Sequence, residues 1–420
     1  MKITILAVGT RGDVQPYIAL GLGLRAAGHE IRVAAASNFE QFVRGYGLEY
    51  ARLEGNFREL MEADTMQQFM ARRNPVHVYR EMTQMLRHIL ECFAADSWQA
   101  CQNADAVIFS TIAVTGYHVA EKLGIPSCWA PLQPISRTRA FPSVIFPIGY
   151  PRNGTLNWLT HLMEEQLTWQ PSRRFVNQWR KDFLGLKPYP FSGPNALLEK
   201  NHYPIVYGYS PTVLPKPADW GEWIHVAGYW FLDGPAAWQP PADLVDFINA
   251  GKPPIYIGFG SMNNREATDM TRIVVEAVTL AKARAVLATG WGSLAAADLP
   301  DTIYQVDAIP HDWLFPQMAA AVHHGGAGTT AAALRAGIPS VTIPHFMDQP
   351  FWGRRVFDLG VGPQPLQRKR LTAEHLAQMV TMTINDQAMK RRATALAERI
   401  NGEDGIAKAV ELMTRYLSDH

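Results

Sequence analysis

Cysteine is scarce in this chain: three residues in 420, Cys92, Cys101 and Cys128. An odd number without metal-ligand spacing excludes a disulfide framework and reads as small buried residues in a reducing compartment. A charge excess is missing as well. Lys and Arg number 39 against 38 Asp and Glu, a net charge of +1, so no basic surplus is available to neutralise a nucleic-acid backbone. Local basic runs such as Gln367-Arg368-Lys369-Arg370 read as solvated surface. No stretch offers about 18 uninterrupted apolar residues, which excludes a membrane span of the usual kind. The opening MKITILAVGT places a lysine before an apolar run, but the run is short and lacks a small-residue cleavage site. It reads as a first β-strand, and the expected location is the cytoplasm.

Several chemical signatures are also absent. There is no P-loop, and the first strand-turn-helix carries GTRGDVQP where a dinucleotide fold would carry GxGxxG. Neither Asp-x-Asp nor a His/Asp/Glu group with metal-ligand spacing occurs, so no metal site is expected. Nucleotide hydrolysis and nicotinamide binding both lose support.

What is present is a chain long enough for two domains, 47% hydrophobic, which suits two packed cores. The first half alternates apolar runs with helical patterns: ITILAV, a helix after Val14, EIRVAAAS, AVIFST, another helix, and PSCWAP. Such runs suit strands buried on both faces of a parallel sheet. Between Met61 and Trp179 the pattern loosens into segments rich in Met, Phe, Trp and Pro, including FPSVIFPIGYP. These are either extra helical core or the wall of an apolar cleft, for which Trp129, Phe141 and Phe146 are candidate lining residues.

A Pro- and Trp-rich passage, Leu214 to Pro241, then breaks the regular elements. The α/β pattern restarts with PIYIGFGS, a helix near Asp269 to Ala283, RAVLATG, TIYQVDA, AAVHH, a helix and SVTIPH. The expected organisation is an N-terminal Rossmann-like domain over 1–215, a linker over 216–250, a second Rossmann-like domain over 251–400, and a terminal helix over 401–420 crossing back to the first. Two facing doubly wound α/β domains place a ligand at the carboxyl ends of their strands, in the cleft between them.

The stretch HHGGAGTTAAALRAGIP, His323 to Pro339, indicates which ligand. Strand, glycine-rich turn and helix follow in the order of an anion cradle, with the helix expected to begin at Thr329 or Thr330. His324, with Gly325, Gly326, Gly328 and Thr329 behind it, is the candidate diphosphate contact.

The segment from Asp307 to Gln349, with IPHDWLFP, HHGGAGTT, RAGIPSV and PHFMDQP, resembles the donor-binding signature of the GT-B glycosyltransferases of family 1. The sterol glucosyltransferase and antibiotic glycosyltransferase branch is the most similar, and GTRGDVQP and GFGSM extend the likeness along nearly the whole chain. The resemblance implies that the second domain binds a nucleotide sugar and the first an acceptor, in an inverting hexosyl transfer without metal or bound cofactor. It implies that His324 and Thr329 hold the diphosphate with the backbone of Gly326 to Gly328, and that Ser261 lies beside the phosphates. It assigns Asp348 and Gln349 to the sugar hydroxyls, to which an acid-amide pair offers both donor and acceptor.

Plant relatives carry a histidine as general base at the turn after the first strand. Here Asp13 holds that place with Pro16 behind it, as in the sterol and antibiotic branch, and a carboxylate in reach of the acceptor hydroxyl can take its proton. The competing reading is that Asp13 caps a helix beginning near Val14. Two departures from the plant pattern are Ala332, where a glutamate meets the ribose, and the lack of a clear counterpart to the tryptophan that stacks on uracil. Trp291, Trp313 and the backbone near Ile309 are the candidates for the nucleoside. UDP-glucose is the favoured donor and a sterol, terpenoid, macrolide or flavonoid the acceptor. Transient membrane contact is left open. The alternatives are a dTDP-deoxysugar transferase of natural products, a sugar-nucleotide epimerase and a non-catalytic nucleotide-sugar binding module.

Overall fold

The computed structural model describes residues 1–53, 87, 90–145, 153–235, 238–259, 264–288, 299–307, 309–345 and 347–418, without the side chains of 264–268. Ser261, Trp291 and Phe146 lie outside the described residues. The chain divides into two units: Met1–Pro211 with Pro215–Leu232 and Asp404–His420, and Thr212–Leu214 with Asp233–Glu403. The segment read as a linker over 216–250 is thus shared. Residues to Leu232 go with the first unit, and the remainder, including a helix over Ala242–Asn249, with the second.

The first unit is built on seven parallel strands: β1 (Lys2–Leu6), β2 (Glu30–Ala35), β3 (Glu49–Arg52), β4 (Ala106–Phe109), β5 (Ser127–Trp129), β6 (Ile205–Tyr207) and β7 (Ile224–Val226). Their order in the sheet is β3-β2-β1-β4-β5-β6-β7. Ile3, Ile5, Val107, Ile108 and Val206 have no solvent exposure, as expected for strands with cover on both faces. The first connection is helix α1 (Arg11–Ala26), and α2 (Thr115–Leu123) follows β4. The long helix α3 (Gly154–Asp182) is fixed to α2 by Arg180. That guanidinium, 2% exposed, donates to both oxygens of Glu121 at 2.8 and 3.1 Å, approaches His118 Nδ1 at 3.0 Å, and lies over the Tyr189 ring. A buried cation with this many partners costs little beyond its desolvation, whereas removing one partner would cost about 3–5 kcal/mol.

The second unit carries five parallel strands, β8 (Ile255–Gly258), β9 (Ala285–Ala288), β10 (Ile303–Val306), β11 (Ala320–His323) and β12 (Ser340–Thr342), ordered β10-β9-β8-β11-β12. Helices α4 (Asn264–Leu280), α5 (Ala327–Ala336), α6 (Gln349–Asp358), α7 (Ala373–Asn385) and α8 (Gln387–Asn401) surround it. Period-two alternation sorts the core. Ile255, Ile257 and Leu287 face Val274, Val278, Leu376 and Val380 on one side. Tyr256, Val286 and Ala321 face Leu244, Phe315 and Ala333 on the other. Each fully buried aliphatic side chain of this kind contributes about 1.5–3 kcal/mol.

The last helix, α9 (Gly405–Ser418), packs on α1 within the first unit. Gly23 permits the close approach, because a Cβ there would clash with the Ile406 side chain. His225 and Tyr416 share a 2.9 Å hydrogen bond, and His29 and Thr414 one of 3.2 Å.

Both sheets reverse their winding once, between β1 and β4 and between β8 and β11. The strand ends flanking such a reversal open a crevice where α/β sheets bind ligands. The residues that follow β1 include Asp13, and those that follow β11 begin with His324.

Candidate active site

In the first unit the chain leaves β1 through Gly9 and enters α1 at Arg11, two to three residues earlier than the hydrophobic pattern implied. Thr10 is therefore the N-cap, and Asp13, in the competing reading the cap of a helix beginning near Val14, instead sits in the first turn as the acidic partner of a capping box with Thr10. The sequence reads as a late start because Arg11, Gly12 and Asp13 are polar, although the first turn of a helix tolerates them well. Asp13 Oδ2 accepts from the Thr10 backbone N–H at 2.8 Å and from the Thr10 hydroxyl at 2.9 Å. Gly9 adopts φ +138°, and a Cβ on it would stand 2.4 Å from that same oxygen. Burial raises the Asp13 carboxyl above its ordinary value, and the two Thr10 donors pull it partly back. The result is a fixed carboxylate, more basic than one in water. Beneath it Tyr17 donates to the Ala130 carbonyl at 2.5 Å, and the end of β4 meets the end of β1 through Ser110 Oγ and the Val8 N–H at 3.2 Å.

Of the residues read as acceptor wall, Trp129 stacks on Phe109 at 6.1 Å and joins the first unit's core cluster. Phe141 is 4% exposed and lies edge-on to His161 and Trp220.

In the second unit β11 ends at His323. Gly325 takes φ +84°, Gly326 is the N-cap, and α5 begins at Ala327. The helix thus starts two residues earlier than expected, because a glycine, which needs no side-chain cap, occupies the boundary. Gly328 and Thr329 consequently lie in the first turn, among the N–H groups that have no intrahelical acceptor. Such groups and the helix dipole favour negative charge at this end of the helix, the anion cradle expected from the sequence. His324 stands at its mouth beside the Gly258 carbonyl. Burial lowers its imidazole to about 4, against a smaller upward pull from that carbonyl. Its Nδ1 and the Thr330 hydroxyl are buried with no partner among the described residues. A buried orphan of this sort costs about 1–3 kcal/mol.

Asp348 and Gln349 open helix α6 beside this cradle. Asp348 Oδ2 accepts from Trp352 Nε1 at 2.9 Å, one helical turn on. Gln349 Oε1 accepts from the His345 N–H at 2.8 Å, which orients the amide. Met347, at φ +55°, completes the tight turn. Gly325 joins the two halves, since a Cβ there would be 2.9 Å from the Gln349 carbonyl oxygen. The structure therefore brings His324, Gly326, Gly328, Thr329, Asp348 and Gln349 together in one unit. Ile309 packs at the edge of a core cluster, and Trp313 meets Trp238 edge-on at 5.4 Å. Ala332 is part-buried against that same cluster. Among the described residues no group of three or more His, Cys, Asp or Glu could hold a metal ion.

Sequence reading missed Gly9, Thr10, Trp352 and His345. The first two carried a signal, a glycine and a hydroxyl residue at fixed distance before Asp13. His345 stacks on Phe259 at 6.1 Å, and burial, with Arg368 and His324 nearby, lowers it to about 3. Nothing local in the sequence announces that contact.

Residues 3–142 match the glycosyltransferase family 28 N-terminal domain, and residues 274–411 the C-terminal domain of erythromycin biosynthesis protein CIII-like proteins. The chain belongs to the GT-B glycosyltransferases. It is 41% identical, over 99% of its length, to a sterol 3-beta-glucosyltransferase of Cryptococcus neoformans and to one of Saccharomyces cerevisiae. It spans 27% and 35% of those proteins, about a third of their length. Among solved structures, the calicheamicin glycosyltransferase CalG4 shares the fold over 100% of this chain and 98% of its own, with TM-score 0.72 at 18% identity. The glycosyltransferase VinC, solved with dTDP, covers 100% of both chains with TM-score 0.71 at 17% identity. Among the described residues no helix is long and apolar enough to cross a membrane.

Proposed function

We propose that this chain is an inverting glucosyltransferase that moves glucose from UDP-glucose to the hydroxyl of an apolar small molecule, a sterol before other classes. The observation that carries the reading is its 41% identity to sterol 3-beta-glucosyltransferases across 99% of the chain. Asp13 takes the proton from the acceptor hydroxyl as its oxygen attacks the anomeric carbon. The bond from that carbon to the diphosphate breaks in the same displacement, which inverts the centre, and UDP leaves with the electron pair.

The departing negative charge falls where the α5 N–H groups, Thr329 and His324 are already oriented. Preorganised donors of this kind are worth about 2.7–4 kcal/mol each when aimed at developing charge. Ser261 is assigned to the same phosphates. Asp348 and Gln349 orient the glucose, with the acid anchored on Trp352 and the amide on His345. Trp291 and Ile309 are assigned to the nucleoside, and Trp129, Phe141 and Phe146 to the acceptor. Charge stabilisation by a helix terminus needs no cation, so turnover is expected to survive EDTA.

The test is UDP release from UDP-glucose with and without a sterol, in EDTA, for the wild type and Asp13→Asn. Sterol-dependent release that collapses in the variant supports the reading. Release only from dTDP-deoxysugars would move the protein to the natural-product class, and donor interconversion without acceptor would make it an epimerase.

A further inference from the structure

The first of the paired histidines has no role in the reaction described above. His323 ends β11 with no solvent exposure, and its Nδ1 accepts from the Gly325 N–H at 3.1 Å. That N–H belongs to a residue at φ +84°, outside strand and helix, with no ladder carbonyl to receive it. An aliphatic side chain would fill the same volume and leave the N–H unpaired in a buried turn.

We propose that His323 is a positioning residue of the donor site, fixing through Gly325 the turn that presents His324 and the first N–H groups of α5 to the nucleotide sugar's diphosphate. Gly325 is held on two sides, by the His323 ring and by the Gln349 backbone, 2.9 Å from where its Cβ would be. Any displacement of Gly325 therefore moves the diphosphate contacts and the sugar contacts together. The neutral imidazole suits this task, because only an unprotonated Nδ1 accepts. Burial, with His324 and His311 beside it, lowers His323 to about 3 and keeps it neutral in any physiological buffer. The proton then sits on Nε2, which has no partner among the described residues. His324 Nδ1 and Thr330 Oγ1 are likewise buried without partners among the described residues.

The inference rests on the donor-site reading of the second unit. Three substitutions separate acceptor geometry from volume: His323→Asn places a carbonyl oxygen where Nδ1 stands, His323→Gln places it where Nε2 stands, and His323→Leu supplies bulk only. UDP and UDP-glucose affinities by calorimetry, and kcat and both KM values where turnover is seen, are the readouts. The expected pattern is donor binding within about threefold of wild type for Asn and weaker by about tenfold for Gln and Leu, the loss expected for one hydrogen bond. The acceptor KM stays unchanged throughout. Equal donor affinity for Asn, Gln and Leu overturns the role of His323 while leaving the donor site standing. A wild type that binds neither UDP nor UDP-glucose overturns both. Should the variants fail to fold, residue-resolved hydrogen exchange on the wild type decides: a protected Gly325 amide without ligand is expected, and a freely exchanging one overturns the proposal.

Discussion

Asp13 and Thr10 form a closed pair, one carboxylate oxygen receiving both the backbone N–H and the hydroxyl of the residue three positions earlier, at 2.8 and 2.9 Å. No hydrogen bond to the other oxygen is found among the described residues, and in the proposed reaction that oxygen takes the proton. Asp13→Asn preserves the Thr10 contacts through its amide oxygen and removes the base. We expect kcat to fall by about 10²–10⁴ with UDP affinity unchanged, measured by sterol-dependent UDP release and calorimetry. Equal activity in the variant would leave Asp13 a purely structural residue.

Gly9→Ala is expected to act on the same atom by a different route. The added methyl would meet Asp13 Oδ2 and force a left-handed backbone angle on a residue that disfavours it. The cost is about 1–3 kcal/mol of local strain together with a displaced carboxylate. The prediction is a loss of kcat approaching that of Asp13→Asn, a lower thermal midpoint, and no change in the Kd of UDP.

The pH dependence of catalysis follows from the raised Asp13 carboxyl. The base must be ionised, so kcat/KM should rise with pH through a pKa above that of an ordinary aspartate and then level off. A pH profile of kcat/KM locates this acid limb. An ascending limb at the value of a free aspartate would contradict the buried geometry.

Binding of the nucleotide should depend on pH in the opposite sense. His324 titrates at about 4 in the free protein, and an adjacent diphosphate favours its protonated form, which raises that value in the complex. UDP affinity should therefore increase as pH falls from 7 toward 5, insofar as the fold persists. Calorimetry across this range, with His324→Asn as the control that flattens the slope, checks the sign.

Stability should fall over the same interval. His323, His324 and His345 are neutral in the folded chain, lowered from 6.5 to about 3, 4 and 3. For a base with a depressed folded pKa, stability is complete above the unfolded value and is lost as pH drops below it. At pH 5 each contributes a loss of about 2 kcal/mol. Thermal midpoints at pH 7.5 and 5 should differ by several degrees, and UDP should recover part of the difference through its protonated partner His324.

The sequence by itself determined the two parallel α/β units, because strands buried on both faces must be apolar throughout and the helices between them amphipathic. The strand, glycine-rich turn and helix around His324 were legible as well, since that order can be read in one dimension. The resemblance of the motifs singled out Asp348 and Gln349, which open α6 with the Gln349 backbone against Gly325. What only the tertiary structure decided is how those residues are held. Gly325 touching Gln349, Trp352 anchoring Asp348, His345 closing on Gln349 and Gly9 making room for the Asp13 carboxylate depend on angles of tight turns and on contacts between separate strand ends. Periodicity records which face of an element is buried, but it carries no record of which loop meets which once the sheet has formed.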